Sequence, residues 1–486
     1  MKKALVILVL MLVVSSVAFG ASTRWNALGG EHRFIIDTTN YTIYPGRVTI
    51  FGNALFVIPV PKADVKEFYD LRYFTDDGFV AGALLNVSKS MTLAVHYNLD
   101  TAGTTNLRKA LAGFSYDAQE LADAQRTIVR EDAGSDDWVA DKKTITALSQ
   151  KSRLYNLDIR TFPDIFWGMK AGKMSFGARL AVAMDSSSDT ASTIEDAVMS
   201  DSGVAIGKKV TPVQEMKSSA KSIDFQVGAT MYETPAGDLD LGVGIGIQSF
   251  SDDDPNSGMT IESTGGMDVA FNARLNKALD KDGKYMLVPV LSFNTGSNPS
   301  VKYDAKSAPS VNEVSYMKGD LGFGIREKVK EKGLVVVGLV GGYGATTSKP
   351  TTTITGEDGT STSKSLLETT DTTMNATVLA GCEYPITKWL IIRGGANMKF
   401  TALTDEMIVQ DKTLTYVSGE KDVINDVLGS TKSTGVSFYY NMGIRTVYNG
   451  LILDFLLSRN ILHRGPFILS GADGIWASHI CVTYAF

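Results

Sequence analysis

From Leu239 to Gln248 the chain alternates without a break. Leu239, Leu241, Val243, Ile245 and Ile247 are aliphatic, while Asp240, Gly242, Gly244, Gly246 and Gln248 are small or polar. Alternate side chains of an extended strand point to opposite faces, so this segment has one apolar and one polar face. A helix would scatter the same residues around its circumference. The split recurs along the chain. Met91 to Leu99, Met174 to Val182, Ile223 to Met231, Met267 to Leu275, Leu390 to Phe400 and Val436 to Ile444 all carry apolar residues at every second position.

A soluble sandwich also alternates, and three features separate the cases. The alternating segments run about ten to fourteen residues, longer than an ordinary strand of about five or six and long enough for a tilted membrane strand of about nine to eleven. Short turns near Lys89, Gly172, Gly237, Gly283, Lys332, Thr387 and Gly450 alternate with long polar segments at 100–152, 185–219, 251–265, 296–314, 348–372, 403–433 and 460–474. That is the short-turn, long-loop pattern of outer-membrane barrels. The polar faces carry Arg179, Asp224, Asp268, Arg274, Asp320, Arg326, Arg393, Lys399, Arg445 and Asp454 in mid-strand. A sandwich core could not bury these singly, whereas a water-filled lumen solvates them.

Seven short turns imply fourteen strands. A last strand from Trp476 to Phe486 and a first within Asn53–Phe74 raise the expectation to sixteen, with fourteen as the alternative. The fold class expected is all-β: a transmembrane antiparallel up-and-down barrel with a partly helical external loop. An even count closes the sheet and leaves no edge for lipid to face. Mean hydropathy is only +0.02, because lipid-facing and lumen-facing residues cancel in the average.

Both termini agree. Lys2 and Lys3, the apolar run Ala4 to Val14, and the small residues Ala18 and Gly20 read as a secretory signal over 1–20, cleaved after about Gly20. The run is short for a bilayer-spanning helix, and no other apolar stretch is long enough to cross as one. At the other end Trp476, Ile480, Val482, Tyr484 and Phe486 share one face, and the chain stops on the aromatic. This resembles the C-terminal recognition signal of bacterial outer-membrane barrels. It implies handling by the barrel-assembly machinery through Tyr484 and Phe486, and residence in the lipid bilayer of the outer membrane. Tyr97, Tyr232, Tyr285, Trp389, Tyr448 and Trp476 are candidates for interfacial girdles.

Residues 21–46 do not alternate. They read Trp25-Asn26-Ala27-Leu28-Gly29-Gly30, then Asp37, Asn40 and Tyr44-Pro45-Gly46. This resembles the N-terminal region of FadL-type hydrophobic-substrate channels and the related PorV-like outer-membrane proteins. Those begin with an Ala-Leu-Gly-Gly-type stretch, an acidic pair and Asn-Pro-Ala before the first strand. Ala27 to Gly30, Asp37 and Pro45 match, while Tyr44 and Gly46 stand where the family has Asn and Ala. The resemblance implies a hatch at 21–46, seated inside a barrel of residues 47–486 and carrying Trp25, Leu28, Gly29, Gly30, Asp37, Asn40 and Pro45. The alternative is a flexible periplasmic tail, in which Phe34-Ile35-Ile36 would sit exposed to water.

In the first long loop Leu107, Leu111, Phe114, Ala118, Leu121, Gln125 and Ile128 recur at helical spacing. Such a helix either stabilises the loop or caps the mouth and binds a ligand or partner. The Thr/Ser-rich stretch Thr346 to Thr373 reads as a hairpin extension or a mobile loop.

Other chemistry is sparse. There are 47 Lys+Arg against 53 Asp+Glu, so no basic face for nucleic acid is expected. His32, His96, His463 and His479 are scattered, without a nucleophile motif beside them, so no enzyme is expected. Asp280 to Lys284 lacks the later ligands of a calcium loop and reads as a turn, and Asp252-Asp253-Asp254 reads as a solvated charge run. Cys382 and Cys481 are expected as free thiols, and no metal or cofactor is implied. The function expected is passive passage of small solutes through the charged lumen, hydrophobic ones by analogy with the FadL family, gated by the hatch. The alternative is a non-transport barrel, structural or partner-binding, like a PorV-like secretion or surface-attachment component.

Overall fold

A computed structural model describes residues 24–59 and 79–112 in part, and most of 153–457 and 477–486. The expectations for the signal 1–20, for Trp25, Gly29, Gly30, Asp37 and Trp476, and for the loops at 113–152 and 460–474 lie outside the described residues.

Sixteen strands form the wall: β1 Ala54–Pro59, β2 Phe79–Asn86, β3 Met91–Tyr97, β4 Arg160–Ala171, β5 Met174–Asp189, β6 Met216–Thr234, β7 Gly237–Asp254, β8 Gly266–Ala278, β9 Tyr285–Ser297, β10 Ser310–Val329, β11 Gly333–Thr355, β12 Glu368–Pro385, β13 Leu390–Val409, β14 Asp426–Tyr448, β15 Leu451–Leu457 and β16 Ala477–Ala485. Each pairs antiparallel with the next. The ring closes where β1 meets β16, with Ala54 opposite Ala485 and Val57 opposite Val482. The higher of the two expected strand counts is the one observed.

Alternation decides which face is which. Val243 and Ile247 are 42% and 59% exposed on the outside of β7, while Asp240 and Gln248, at the other parity, are 0% exposed. Lipid covers the outer face, so the aliphatic side chains there stay out of water. Among the described residues no helix is long and apolar enough to cross a membrane; the strands do the crossing.

Six of the seven short turns fall where the sequence placed them, and the one near Lys332 lies outside the described residues. Asp280 to Lys284 is a tight turn in which the Gly283 amide donates to the Asp280 carbonyl. The opposite ends differ from expectation. β11 and β14 run for 23 residues, far beyond a bilayer crossing. Met259–Ser263 and Val301–Asp304 continue β8 and β9 and pair with each other, and Ser361–Ser365 pairs with the end of β11. Much of the sequence read as loop at 251–265, 296–314, 348–372 and 403–433 is therefore strand. Both faces of a strand that leaves the bilayer are wet, so the apolar stripe that betrays a strand is lost there.

Tyr285, Trp389, Tyr448 and Tyr484 lie exposed near the short-turn end of the barrel, and the Tyr484 and Phe486 rings stack at 6.1 Å. Tyr232 departs from the girdle reading. It shares its parity with Asp224 and Thr230, and Arg47 lies 5.5 Å over its ring, so it points inward. Cys382 is a free, exposed thiol on β12. Cys481 lies on β16, four strands away, which at about 4.8 Å per strand is beyond disulfide reach.

The outer face makes a direct prediction. Val243→Arg should destabilise the barrel by about 2–4 kcal/mol, the cost of a cation near the bilayer midplane. Denaturant unfolding in lipid vesicles checks it.

Candidate functional site

The chain from Arg24 to Phe51 forms three short 3-10 turns, His32–Phe34, Asn40–Thr42 and Pro45–Ile50. Pro45 opens the third, where its missing N–H costs nothing. The Asn40 carbonyl accepts the amides of Ile43 and Tyr44 at 3.1 and 2.8 Å. The third turn touches β3 to β7, while the first turn touches β9 and β10, and Arg24 reaches β12. A segment that contacts walls so far apart around a closed ring lies within it.

Two apolar clusters seat the segment. Leu28, Phe34 and Ile35 pack with Val288, Val290, Leu334, Val336, Val340 and Leu379. Tyr41 and Val48 pack with Leu84, Ala94 and Phe166. The wall is thinned to receive them. Gly177, Gly228 and Gly242 face the backbone of Ile43 to Gly46, and Gly324 and Gly338 clasp the Phe34 ring. A Cβ at any of these five would collide with the segment.

Charges complete the seat. Arg47 donates to both carboxylate oxygens of Asp240, Nε at 2.5 Å and Nη2 at 3.0 Å. The same carboxylate accepts from the Arg274 Nε at 2.8 Å and the Thr230 hydroxyl at 2.8 Å. Arg274 also donates through Nη1 to the carbonyls of Arg33 and Ile35, each at 3.1 Å, and to the Asn40 side chain at 2.9 Å. Its guanidinium stacks 4.6 Å over the Tyr44 ring. Arg326 donates to the Phe34 carbonyl at 3.5 Å. Arg24 grips Glu383 at 3.0 and 3.1 Å and donates to the Ile36 carbonyl at 2.9 Å. Glu383 also accepts from Arg393 at 2.5 Å. Arg393 shares Asp454 with Arg445, whose two bonds measure 2.8 and 2.7 Å. Arg33 reaches Ser292 at 2.7 Å and Asp320 at 3.4 Å.

Beside the second turn, Tyr41 bonds the Nε2 of His96 at 2.9 Å, and His96 Nδ1 lies 3.3 Å from Asp164, which Arg179 clamps at 2.8 and 3.0 Å. Sequence reading did not bring His96 and Asp164 together. All four groups are buried, and Phe51 and Phe166 pack on Tyr41. The trio therefore anchors the turn.

A second filler occupies another sector. Helix α1, Ala102–Ala112, packs against β6, β7 and β8. Thr101 and Thr104 cap its start reciprocally. Asp224 accepts the Thr101 hydroxyl at 2.7 Å and the Gly103 amide at 3.2 Å, a favourable place for a carboxylate. Asn106 donates to Asp268 at 2.8 Å. Leu107 and Leu111 join Leu154, Ile159, Phe250 and Ile261, the apolar face the sequence predicted for the first two turns. Asp252 is bound by Arg153 at 2.9 and 2.8 Å and by Ser218. Of the run Asp252 to Asp254, that residue is an ion-pair partner rather than a solvated charge.

Of the ten mid-strand charges, Arg179, Asp224, Asp268, Arg274, Arg326, Arg393 and Asp454 are buried, Asp320 and Arg445 are partly exposed, and Lys399 is half-buried. Pairing and packed segments, rather than open water, surround most of them. Leu28, Asn40 and Pro45 sit in the seat. Sequence reasoning missed Arg24, Arg33, Arg47, Asp164, Asp240 and Glu383. The signal available was three arginines in a short segment facing a wall with acids at the inward parity.

The geometry defines a closed sixteen-stranded β-barrel of outer-membrane type, with an N-terminal segment and a helix packed inside it. No family model matches the sequence, and no curated protein matches it. Solved structures similar to it include the ferric yersiniabactin uptake receptor FyuA from Yersinia pestis, at 7% identity over 84% of this chain and 68% of that one, with a TM-score of 0.32. The FrpB iron transporter from Neisseria meningitidis matches at 10% over 83% and 60%, TM-score 0.29. BauA, the ferric preacinetobactin receptor from Acinetobacter baumannii, matches at 8% over 90% and 80%, TM-score 0.29. These likenesses are distant, concern barrel architecture alone, and carry no cargo over to this chain.

The shared carboxylate makes an asymmetric prediction. Asp240→Asn leaves two buried arginines without their counter-charge and should cost about 3–5 kcal/mol. Arg47→Met leaves Asp240 paired with Arg274 and should cost about 1.5–3 kcal/mol, the range for a hydrogen bond to a charged group. Denaturant unfolding of both variants, with protease cleavage within residues 24–51 as the local readout, checks it.

Proposed function

We propose that this protein is an outer-membrane barrel for the passage of small solutes, closed at rest by residues 21–46 acting as a hatch. The observation that carries this reading is the double ownership of the wall carboxylates. Asp240 and Glu383 each hold one arginine from the segment and one from the wall. If the hatch withdraws Arg24 and carries with it Arg47, the residue that follows it, Arg274 and Arg393 remain, so departure strands no buried carboxylate, the costly outcome for a broken pair. The resemblance to FadL-type channels supports hydrophobic solutes. The outward Tyr484 and Phe486 support assembly through the C-terminal strand into the lipid bilayer.

Deleting residues 21–46 should raise liposome swelling rates and planar-bilayer conductance well above those of the intact chain. Equal rates in a folded, inserted barrel would refute hatch gating. A second reading, a non-transport barrel that binds a partner, is favoured by how completely ion pairs and apolar contacts seat the segment. It predicts a silent deletion barrel and a protein that co-purifies through residues 101–152.

A further inference from the structure

Four successive carbonyl oxygens of the inner segment are held by arginine. Those of Arg33 and Ile35 accept from Arg274, that of Phe34 from Arg326, and that of Ile36 from Arg24. Around this turn the charges do not balance. Arg24, Arg47, Arg274, Arg326, Arg393 and Arg445 gather about three contacting carboxylates, Asp240, Glu383 and Asp454.

Arg326 stands out among them. It is 6% exposed, and among the described residues no carboxylate contacts it. Arg274, Arg24 and Arg47 act on it as like charges, and Asp238 acts on it from a distance. A long bond to one neutral carbonyl is weak recompense for a desolvated guanidinium. Arg274 adds a second deficit, because its Nη2 is buried with no acceptor, next to the Nη1 that holds the Arg33 and Ile35 carbonyls. Buried donors left short in this way point to an acceptor other than the segment. An oxyanion is a stronger acceptor than a peptide carbonyl, and it matches the planar fork of arginine.

We propose that Arg326 and Arg274 form an oxyanion site, for a carboxylate, sulfate or phosphate group, which the carbonyls of residues 33–35 occupy while the hatch is closed. The inference rests on the hatch reading, adds an anionic group to the hydrophobic solute that reading expects, and supplies a trigger. An anionic group arriving at Arg326 competes with the Phe34 carbonyl and weakens the closed state. The wall pairs Asp240 with Arg274 and Glu383 with Arg393 stay formed throughout.

Inorganic sulfate is the probe, because it stays fully ionised over the working pH range. Calorimetric titration of the intact protein in nanodiscs should show saturable sulfate binding. Arg326→Gln should lower the affinity at least tenfold. Arg326→Lys, which keeps the charge and loses the fork, should fall between the two and serves if Gln does not fold. Lys281→Gln, in the exposed turn, should bind as the parent does. Sulfate should also speed protease cleavage within residues 24–51 of the parent but not of Arg326→Gln. Absent binding, or equal binding by the parent and both Arg326 variants, overturns the site. Silence of the barrel lacking residues 21–46 overturns the passage reading instead, and sulfate binding to the intact chain is read independently of it.

Discussion

A barrel of eight strands can be filled by its own side chains, whereas one of sixteen encloses more space than they can reach. Everything inside this barrel answers that surplus. The wall closes because lipid tolerates no unpaired backbone, and closure at sixteen strands leaves an interior that other parts of the chain enter. The segment Arg24 to Phe51 and helix α1 do so from opposite ends of the first strands in sequence, one before β1 and one after β3. Their polar groups then meet the inward charges that water would otherwise hold.

The wall was legible in the sequence because lipid imposes one rule on each strand. Every second residue in the bilayer must be apolar, so Val243 and Ile245 announce β7 without help from the rest of the chain. The rule lapses where strands leave the membrane, and there β11 and β14 outran what the pattern could show. The seat was legible only in half. Asp240 and Arg274 could be placed on inward faces by parity, and Pro45 by resemblance. That Arg47 meets Asp240, 193 positions away, follows from the ring's curvature and the segment's path, neither of which leaves a local mark. The glycines show the same limit. Gly242, Gly244 and Gly246 stood plainly at the polar parity of β7, but that Gly177 makes room for Pro45 and Gly338 for Phe34 becomes visible only when both partners are in place.

The two fillers are held differently. Where the segment meets Asp240 and Glu383, each carboxylate has an arginine of the wall in reserve. Helix α1 has no such substitute at Asp224. That carboxylate is satisfied by the Thr101 hydroxyl, the Gly103 amide and Ser222, and removal of the helix would leave Ser222 as its remaining partner among these. Breaking a buried polar arrangement costs most when one member is left unsatisfied. Departure of the segment would leave both of its carboxylates paired, although Arg274 and Arg326 would lose the carbonyls of residues 33–35; departure of the helix would not do the same for Asp224.

On the passage reading proposed above, that difference bears on where a path would run. The sector of β6 to β8 stays occupied by α1, its apolar face locked against Phe250 and Ile261. The adjoining sector, β9 to β14, is contacted by the segment through Leu28, Phe34 and Arg24. Beyond the level of Phe34, its inward positions carry Asn375, Asn397 and Lys399, all half-buried. On the same reading, withdrawal of the segment would join this polar wall to the glycine-lined groove at Gly324 and Gly338, with Arg326 beside it. The groove there is lined by small residues, with arginine beside it. On the passage reading proposed above, selectivity would come from the charged side chains that line this groove, and so from those arginines more than from the width of the ring.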